Sequence, residues 1–500
     1  MGNEFDIIVV GGGGSSLMAA YSAARQGRAV LLLEKAAQLG GTTRLSVGTI
    51  CATSTRLQKR AGIDDSPDEH FEDMDKFIGP LAARDNLELR RILVDNVPET
   101  VELLADLGVE FMGPLPEPPH RKPRLHAIIP HSRGYIFRLE RACRRLGVTI
   151  RTSARVARLL RDGDRVVGVE LAAVPGAPAE KIAARRAVIL ASGDFSSAPL
   201  AYKERFVSGP LLEIGGINPN STGDGQRMGE EVGAEILNGD LVWGPEIRFL
   251  APPHPSLVSR LPTNRWFART LLLAMRHLPA PLLRPLLLGF VTTFLAPSHQ
   301  LFQQGAILVN AEGARFCDEL DRPQDHIGRQ PDQKAYMVFD DVTAARFGAW
   351  PNFISTAPGV GYAYLPDYAR SRPDIYSKAD TIDALATKLA VPGAALAQAV
   401  SAHNQALNAG AADGRAPILK PPFHALGPAK SWIVFGEGGL RIDSRFRVSD
   451  RSGQPIPGLY AAGSAGQGGV LLAGHGNHLG WAFTSGRLAG RNAALSTPHR

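Results

Sequence analysis

Residues 5–48 read FDIIVVGGGGSSLMAAYSAARQGRAVLLLEKAAQLGGTTRLSVG, and this stretch decides the fold. Phe5 to Val10 is a short apolar run, the pattern of a strand buried on both faces. Gly11-Gly12-Gly13-Gly14-Ser15-Ser16 follows, then a helical pattern from Leu17 to Gln26 closed by Gly27. Arg28 to Leu33 reads as a second strand ending at Glu34. Strand, loop, helix and strand together make a βαβ unit. In the loop, Gly11 permits the tight turn and Gly13 lets backbone approach a pyrophosphate. Ser16 stands where a third small residue packs helix on strand. Unpaired N–H groups at the helix start, with the positive end of its dipole, favour phosphate. Glu34 lies 23 residues after Gly11, where a carboxylate can accept hydrogen bonds from ribose hydroxyls. A tight βα turn explains the glycines alone; the acid in register points to a nucleotide.

Further along, a second small-residue loop, Gly40-Gly41-Thr42-Thr43-Arg44-Leu45-Ser46-Val47-Gly48, lies just after Glu34-Lys35, suited to lining an extended cofactor. Residues 60–110 read as helices and 113–133, rich in Pro and His, as loop. Val148–Val156, Val166–Leu171 and Ala187–Ala191 read as strands, and a helix follows Asp224-Gly225. A mixed region spans 301–425, with helices near 379–391 and 393–408. The α/β signal then returns at 439–463, with a final helix from about Trp481 to Ala494. The fold class expected is α/β. A Rossmann-type nucleotide domain is built from both chain ends (1–245 and 431–500), with an apolar and basic insertion (246–300) and an inserted α+β catalytic cap domain (301–430).

Composition removes several function classes. Three cysteines, Cys51, Cys143 and Cys317, are few and widely spaced, so neither a disulfide framework nor a zinc site is expected. The start gives no sign of a signal peptide, and a cytoplasmic setting is expected. The net charge of +7 is local: no acidic residue lies between Glu246 and Glu312, and that stretch holds six arginines. The remainder is close to neutral, which gives no footprint for nucleic acid. Within 261–297 no charge interrupts the residues between Arg284 and Ser298, but the run is too short to span a bilayer, and Pro279, Pro281 and Pro285 break the pattern of the segment. A peripheral membrane contact through 261–297 is one expectation; a core-packing lid or a dimer interface is the other.

Several motifs in order carry a resemblance. They are the glycine loop with Glu34-Lys35, Gly40-Gly41-Thr42-Thr43 to Gly48, Ala191-Ser192-Gly193-Asp194-Phe195 and Thr222-Gly223-Asp224-Gly225. Next come Gly305-Ala306-Ile307-Leu308-Val309-Asn310, Gly313-Ala314-Arg315-Phe316 and Asp318-Glu319. Last are Gly438-Gly439-Leu440 and Gly458-Leu459-Tyr460-Ala461-Ala462-Gly463. The chain resembles, nearly throughout outside 246–300, the flavoprotein family that includes fumarate reductases and 3-ketosteroid dehydrogenases. The resemblance implies FAD, held in extended form. Gly11, Gly13, Gly14, Ser15, Ser16, Lys35, Thr43, Ser192, Gly193 and Gly463 would line it. Glu34 would hold the adenosine ribose, and Val156 backbone the adenine. Gly41, Thr42, Ser46 and Gly48 would meet the pyrophosphate or flavin. Asp224 and Ser464 would lie along the ribityl and pyrophosphate, and Leu479 and Gly480 at the pyrimidine edge. There the dipole of the last helix stabilises reduced flavin. Related succinate dehydrogenases attach FAD through a histidine between positions 40 and 50; none stands there, so non-covalent FAD is implied.

The same resemblance frames the substrate. Fumarate reductases carry an arginine that clamps a carboxylate in a His-Gly-Ala-Asn-Arg-Leu-Gly-Gly-Asn pattern. Here Gly474-His475-Gly476-Asn477-His478-Leu479-Gly480 places His478 at that position, removing a bidentate donor. Gly474, Gly476 and Gly480 keep the ketosteroid branch's spacing, and Trp243-Gly244-Pro245 also looks like that branch. Gly476 would then be the N–H that polarises a ketone. That branch's acid and base tyrosines are replaced, by Pro323, by Leu472 and near Pro118–His120. Arg322, His475, His478, Tyr362 and Tyr364 are the replacement acid/base candidates. The expected activity is an FAD-dependent dehydrogenase or ene-reductase, closer to the ketosteroid branch, forming or removing a C=C bond beside the carbonyl of a hydrophobic cyclic substrate. It would work with an electron acceptor or donor not named by the sequence. A fumarate reductase-like enzyme for short unsaturated carboxylates and a non-catalytic flavin-binding protein are the alternatives.

Overall fold

A computed structural model of the chain describes residues 4–173, 178–252, 260–277, 292, 295–357, 361–408 and 414–499. Strand β1 (Glu4–Val10), helix α1 (Gly14–Ala24) and strand β2 (Val30–Leu33) form the expected βαβ unit. The helix begins before Leu17 because Gly14, Ser15 and Ser16 make its first turn. β1 runs parallel to β2 on one side and to Lys181–Leu190 on the other. Thr149–Arg151 extends the sheet beyond β2. From the far end of the chain, Pro455–Ala461 joins parallel to Lys181–Leu190. Residues 7–10, 30–33 and 187–190 are all buried, which explains why they read as unbroken apolar runs rather than alternating ones.

The last helix, Asn477–Leu495, closes the molecule on itself. A Cβ on Gly486 would stand 2.4 Å from the Ser15 carbonyl oxygen, and one on Gly490 would stand 2.2 Å from that of Ala19. Glycines four residues apart share one helix face, so the helix lies backbone to backbone on α1. It starts earlier than the apolar pattern near Trp481 suggested. Its first turn is polar, and Gly476, with φ of +85°, caps it.

A second, five-stranded antiparallel sheet contains Glu246–Phe249, Phe423–Trp432, Ala335–Phe339, Ile307–Asn310 and Tyr376–Ala379. It has its own core around Phe302, Met337, Phe339, Phe347 and Tyr368. The strand Glu246–Phe249 gives the expected insertion an edge in this sheet. Part of 113–133, expected as loop, forms strands instead: Glu110–Leu115 and Leu125–Ile129 pair in a three-stranded sheet with Thr49–Cys51. That pairing partner lies far back in the sequence, beyond the reach of a local pattern. In the expected membrane segment, helix Arg265–His277 exposes Trp266 and Leu273 and buries Ala268. Residues 278–291 and 293–294 lie outside the described residues, as do 358–360, the loop before Tyr362. No helix among the described residues is long and apolar enough to cross a membrane.

Candidate functional site

The glycine loop is a cradle with one open position. A Cβ on Gly11 (φ +119°) would stand 2.4 Å from the Ala191 carbonyl oxygen, and one on Gly12 would stand 2.6 Å from a Glu34 carboxylate oxygen. A Cβ on Gly14 would stand 2.7 Å from the Phe483 ring, whereas one on Gly13 meets nothing nearer than 3.9 Å. Gly13 therefore fronts open space. The Gly14 N–H donates to Thr43 Oγ1 at 3.2 Å, and α1 has no side-chain cap. The Ser15 and Ser16 N–H groups, in the first turn, have no intrahelical acceptor and suit an anion. The Ser16 hydroxyl donates to the Ala191 carbonyl at 2.8 Å, so serine replaces the third glycine while tying helix to sheet.

Glu34 is buried, accepts from the Ala36 N–H at 2.6 Å, and has its carboxyl pushed up by burial. Lys35 Nζ pairs with Asp224 at 2.7 Å and donates to Thr222 Oγ1. With Arg155, Asn220 and Arg227 these line a cavity of about 440 Å³. Thr42 Oγ1 accepts from Asn218 at 3.0 Å, Ser46 donates to the Thr43 carbonyl at 2.8 Å, and the Gly48 carbonyl accepts from Tyr135 at 2.9 Å. Ser192 Oγ accepts from the Gly225 N–H at 3.1 Å. The Gly463 N–H donates to Ser485 at 2.8 Å, which orients the turn carrying Ser464. Val156 is buried at the start of its strand.

The turn 475–478 gathers two imidazole–carboxylate pairs around Gly476. Glu117 accepts from the His475 N–H at 2.9 Å and pairs with His475 Nδ1; this hydrogen bond pushes the imidazole's pKa up. On the other side, His478 Nε2 lies 3.3 Å from Glu437, and the His478 and Phe435 ring centres are 3.6 Å apart. Trp243 and Gln467 each donate to the same buried Glu437 carboxylate. Strand Val242–Trp243 pairs with Phe435–Gly436, which brings the tryptophan against Phe435, the ring that packs on the histidine. Buried Glu117 Oε2, Gln467 Oε1 and Asn477 Oδ1 have no hydrogen-bond partner, a pattern expected where a ligand completes the polar set. Glu117 and Glu437 were missed in the sequence; the one signal was Glu437 interrupting the glycine cluster 436–439.

A buried cluster also lies against this turn. A Cβ on Gly476 would stand 2.4 Å from the Cys51 nitrogen. Cys51 Sγ lies 3.3 Å from His70 Nε2 and 3.4 Å from His120 Nε2. Three such atoms together can hold a metal ion. Arg124 argues against it: its Nη1 lies 3.1 Å from His120 Nδ1, and a guanidinium only donates. Nδ1 therefore accepts, and the His120 proton sits on Nε2, facing the thiol. Burial, then the Arg124 charge, hold His120 at about 4 and His70 at about 3; burial pushes the Cys51 thiol up. The cluster is a neutral hydrogen-bonded chain. Its members are drawn from strand Thr49–Cys51, helix Pro67–Ile78 and the 120 loop, so no sequence spacing announced it.

The structure thus brings His475, Gly476, His478, Leu479 and Gly480 into one turn. Arg322, Tyr362 and Tyr364 lie on other elements. Arg322 is exposed, in the left-handed region (φ +45°), and pairs with Asp325 at 2.6 Å. Tyr362 is exposed against the rings of Trp350 and Phe353. The Tyr364 N–H donates to Asp367 at 2.9 Å at the start of helix Leu365–Ser371.

Comparison with known proteins defines the class. The chain belongs to the FAD binding domain family, whose profile matches residues 6–255 and 290–477. It is an FAD-dependent oxidoreductase, and the open cradle at Gly13, the buried Glu34 and the free first-turn amides fit that cofactor. A probable fumarate reductase of Shewanella frigidimarina is 28% identical, over 95% of this chain and 72% of its own length. A vinyl phenol reductase of Lactiplantibacillus plantarum is 26% identical, over 99% of this chain and 97% of its own. Among solved structures, the open conformation of a flavocytochrome c3 fumarate reductase matches with a TM-score of 0.73 at 24% identity, over 98% of this chain and 78% of that one. A 3-ketosteroid Δ4-(5α)-dehydrogenase of Rhodococcus jostii matches with a TM-score of 0.59 at 24% identity, over 99% and 97%.

Proposed function

We propose that this flavoenzyme forms or removes a C=C bond beside the carbonyl of a hydrophobic cyclic substrate, in the manner of the 3-ketosteroid dehydrogenases. The observation that carries the reading is His478. It stands where a fumarate reductase would place its carboxylate-clamping arginine, and it packs on Phe435 beside Trp243. An aromatic wall with a hydrogen-bonded imidazole suits an apolar ring better than a dicarboxylate. FAD, bound without a covalent link, supplies the acceptor or donor of a hydride. The Gly476 N–H polarises the carbonyl, so that charge developing on its oxygen meets a fixed donor. His475 with Glu117, or His478 with Glu437, takes or gives the accompanying proton. Arg322, Tyr362 and Tyr364 remain candidates from other elements of a cap domain over 301–430. The electron partner is a separate carrier, and residues 261–297 make a peripheral contact with a membrane, a reading supported by exposed Trp266 and Leu273.

A second reading, reduction of short unsaturated carboxylates, has support from the fumarate reductase relative. Anaerobic titration separates the two. The oxidised flavin is mixed with ketosteroids, cyclic ketones and succinate, and the reduced flavin with the matching enones and fumarate. Flavin exchange with the cyclic set alone is the expected result; exchange with succinate and fumarate alone overturns the proposal. His478→Arg should move activity toward fumarate if residue 478 sets the choice.

A further inference from the structure

Far along the chain from the turn 475–478, a surface cavity of about 340 Å³ has an unbalanced lining. Four arginines, Arg138, Arg141, Arg145 and Arg265, face it with one acid, Asp106. Three elements build it: helix Arg133–Arg145, the end of helix Leu87–Asp106 with Leu107, and the start of helix Arg265–His277. The single acid is already used, since Asp106 pairs with Arg56 at 2.9 Å. Arg265 pairs with Glu110 at 2.9 Å, and Arg138 donates to the Thr263 carbonyl at 2.9 Å. Arg141 and Arg145 have no acidic partner among the described residues.

The positive charges oppose one another. Burial first, then the charges of Arg141 and Arg265, hold the Arg138 guanidinium below its usual range. A fold that gathers like charges in a concave site pays in repulsion unless an anion relieves it. Dipole compensation at a helix C-terminus accounts for Arg144 and Arg145 in the last turn, but not for Arg138, Arg141 or Arg265. At the rim stands Trp266, 78% exposed, an unusual setting for the largest side chain. Planar guanidinium forks match phosphate oxygens two at a time, which lysines do not.

We infer that this cavity binds a phosphate-bearing ligand, with Arg138, Arg141, Arg145 and Arg265 on the phosphate and Trp266 covering it. None of its lining residues is among those assigned to the flavin or its substrate. The phosphate belongs either to a free organic phosphate or to the headgroup of an anionic lipid.

Two arms on the FAD-loaded protein distinguish the sources. In the first, inorganic pyrophosphate is titrated by calorimetry and by Trp266 fluorescence, with Trp266→Phe identifying that signal. In the second, vesicles of phosphatidylcholine with and without phosphatidic acid are sedimented with the protein. Arg141→Glu with Arg145→Glu is the test variant, and Arg141→Gln with Arg145→Gln is the milder one; thermal melting and flavin absorbance establish that each is folded. Binding in either arm that falls at least about tenfold in these variants supports the site and names its source. Absence of binding in both arms, or binding that the variants leave unchanged, overturns it. Neither arm reads turnover, so failure here leaves the proposed reaction standing, and the reverse.

Discussion

Gly11 and Gly13 stand two residues apart in one loop and do different work. Gly11 has φ of +119° and backbone directly against its Cβ position, whereas Gly13 faces open space. Gly11→Ala should therefore destabilise the protein with or without FAD. Gly13→Ala should leave apoprotein melting unchanged and weaken FAD at least about tenfold if, as proposed, the pyrophosphate lies in the open space the new methyl would enter. Thermal melts with and without FAD, with flavin titration, check both. The sequence showed both glycines alike; only packing tells the one that is closed in from the one that faces open space. Glu437 carries the same lesson. It reads as one acid among glycines, and its role rests on Trp243, Gln467 and His478 meeting it from three separate segments.

Among elements, helix Pro67–Ile78 and the 120 loop show what buried imidazoles do to stability. The folded pKa values of His70 and His120, about 3 and about 4, lie below the usual 6.5. The unfolded chain therefore takes up protons first as pH falls. The stability these neutral groups allow is complete above about 6.5 and is lost progressively toward 4, at roughly 1.4 kcal/mol per pH unit for each histidine. His120→Gln should flatten the acid limb of urea-unfolding free energy against pH. An unchanged slope would show that His120 is not held neutral. The elements carrying these histidines were legible only in part. The helix was expected within 60–110. The strands at 110–115 and 125–129 were not, because their register is set by the distant segment 49–51.

For the whole molecule, the decisive contact is between its ends. Gly486 and Gly490 let the last helix lie on α1 with no side chain between. Gly490→Val should force the helices apart, cost about 1–3 kcal/mol, and lower Tm for the apoprotein and the FAD complex alike. An unchanged Tm would mean that the packing tolerates a wider spacing. By itself the sequence determined the βαβ unit, the acid at its end, the glycine cradle and the return of the α/β pattern near the C-terminus. These are local: apolar runs, turn glycines and short spacings encode them directly. Tertiary structure alone decided which carboxylate faces His475 and which faces His478, that Cys51 sits between two histidines, and that arginines from separate helices share one cavity. Each depends on segments tens to hundreds of residues apart being folded against one another, and side-chain partners at that separation leave no periodic trace along the chain.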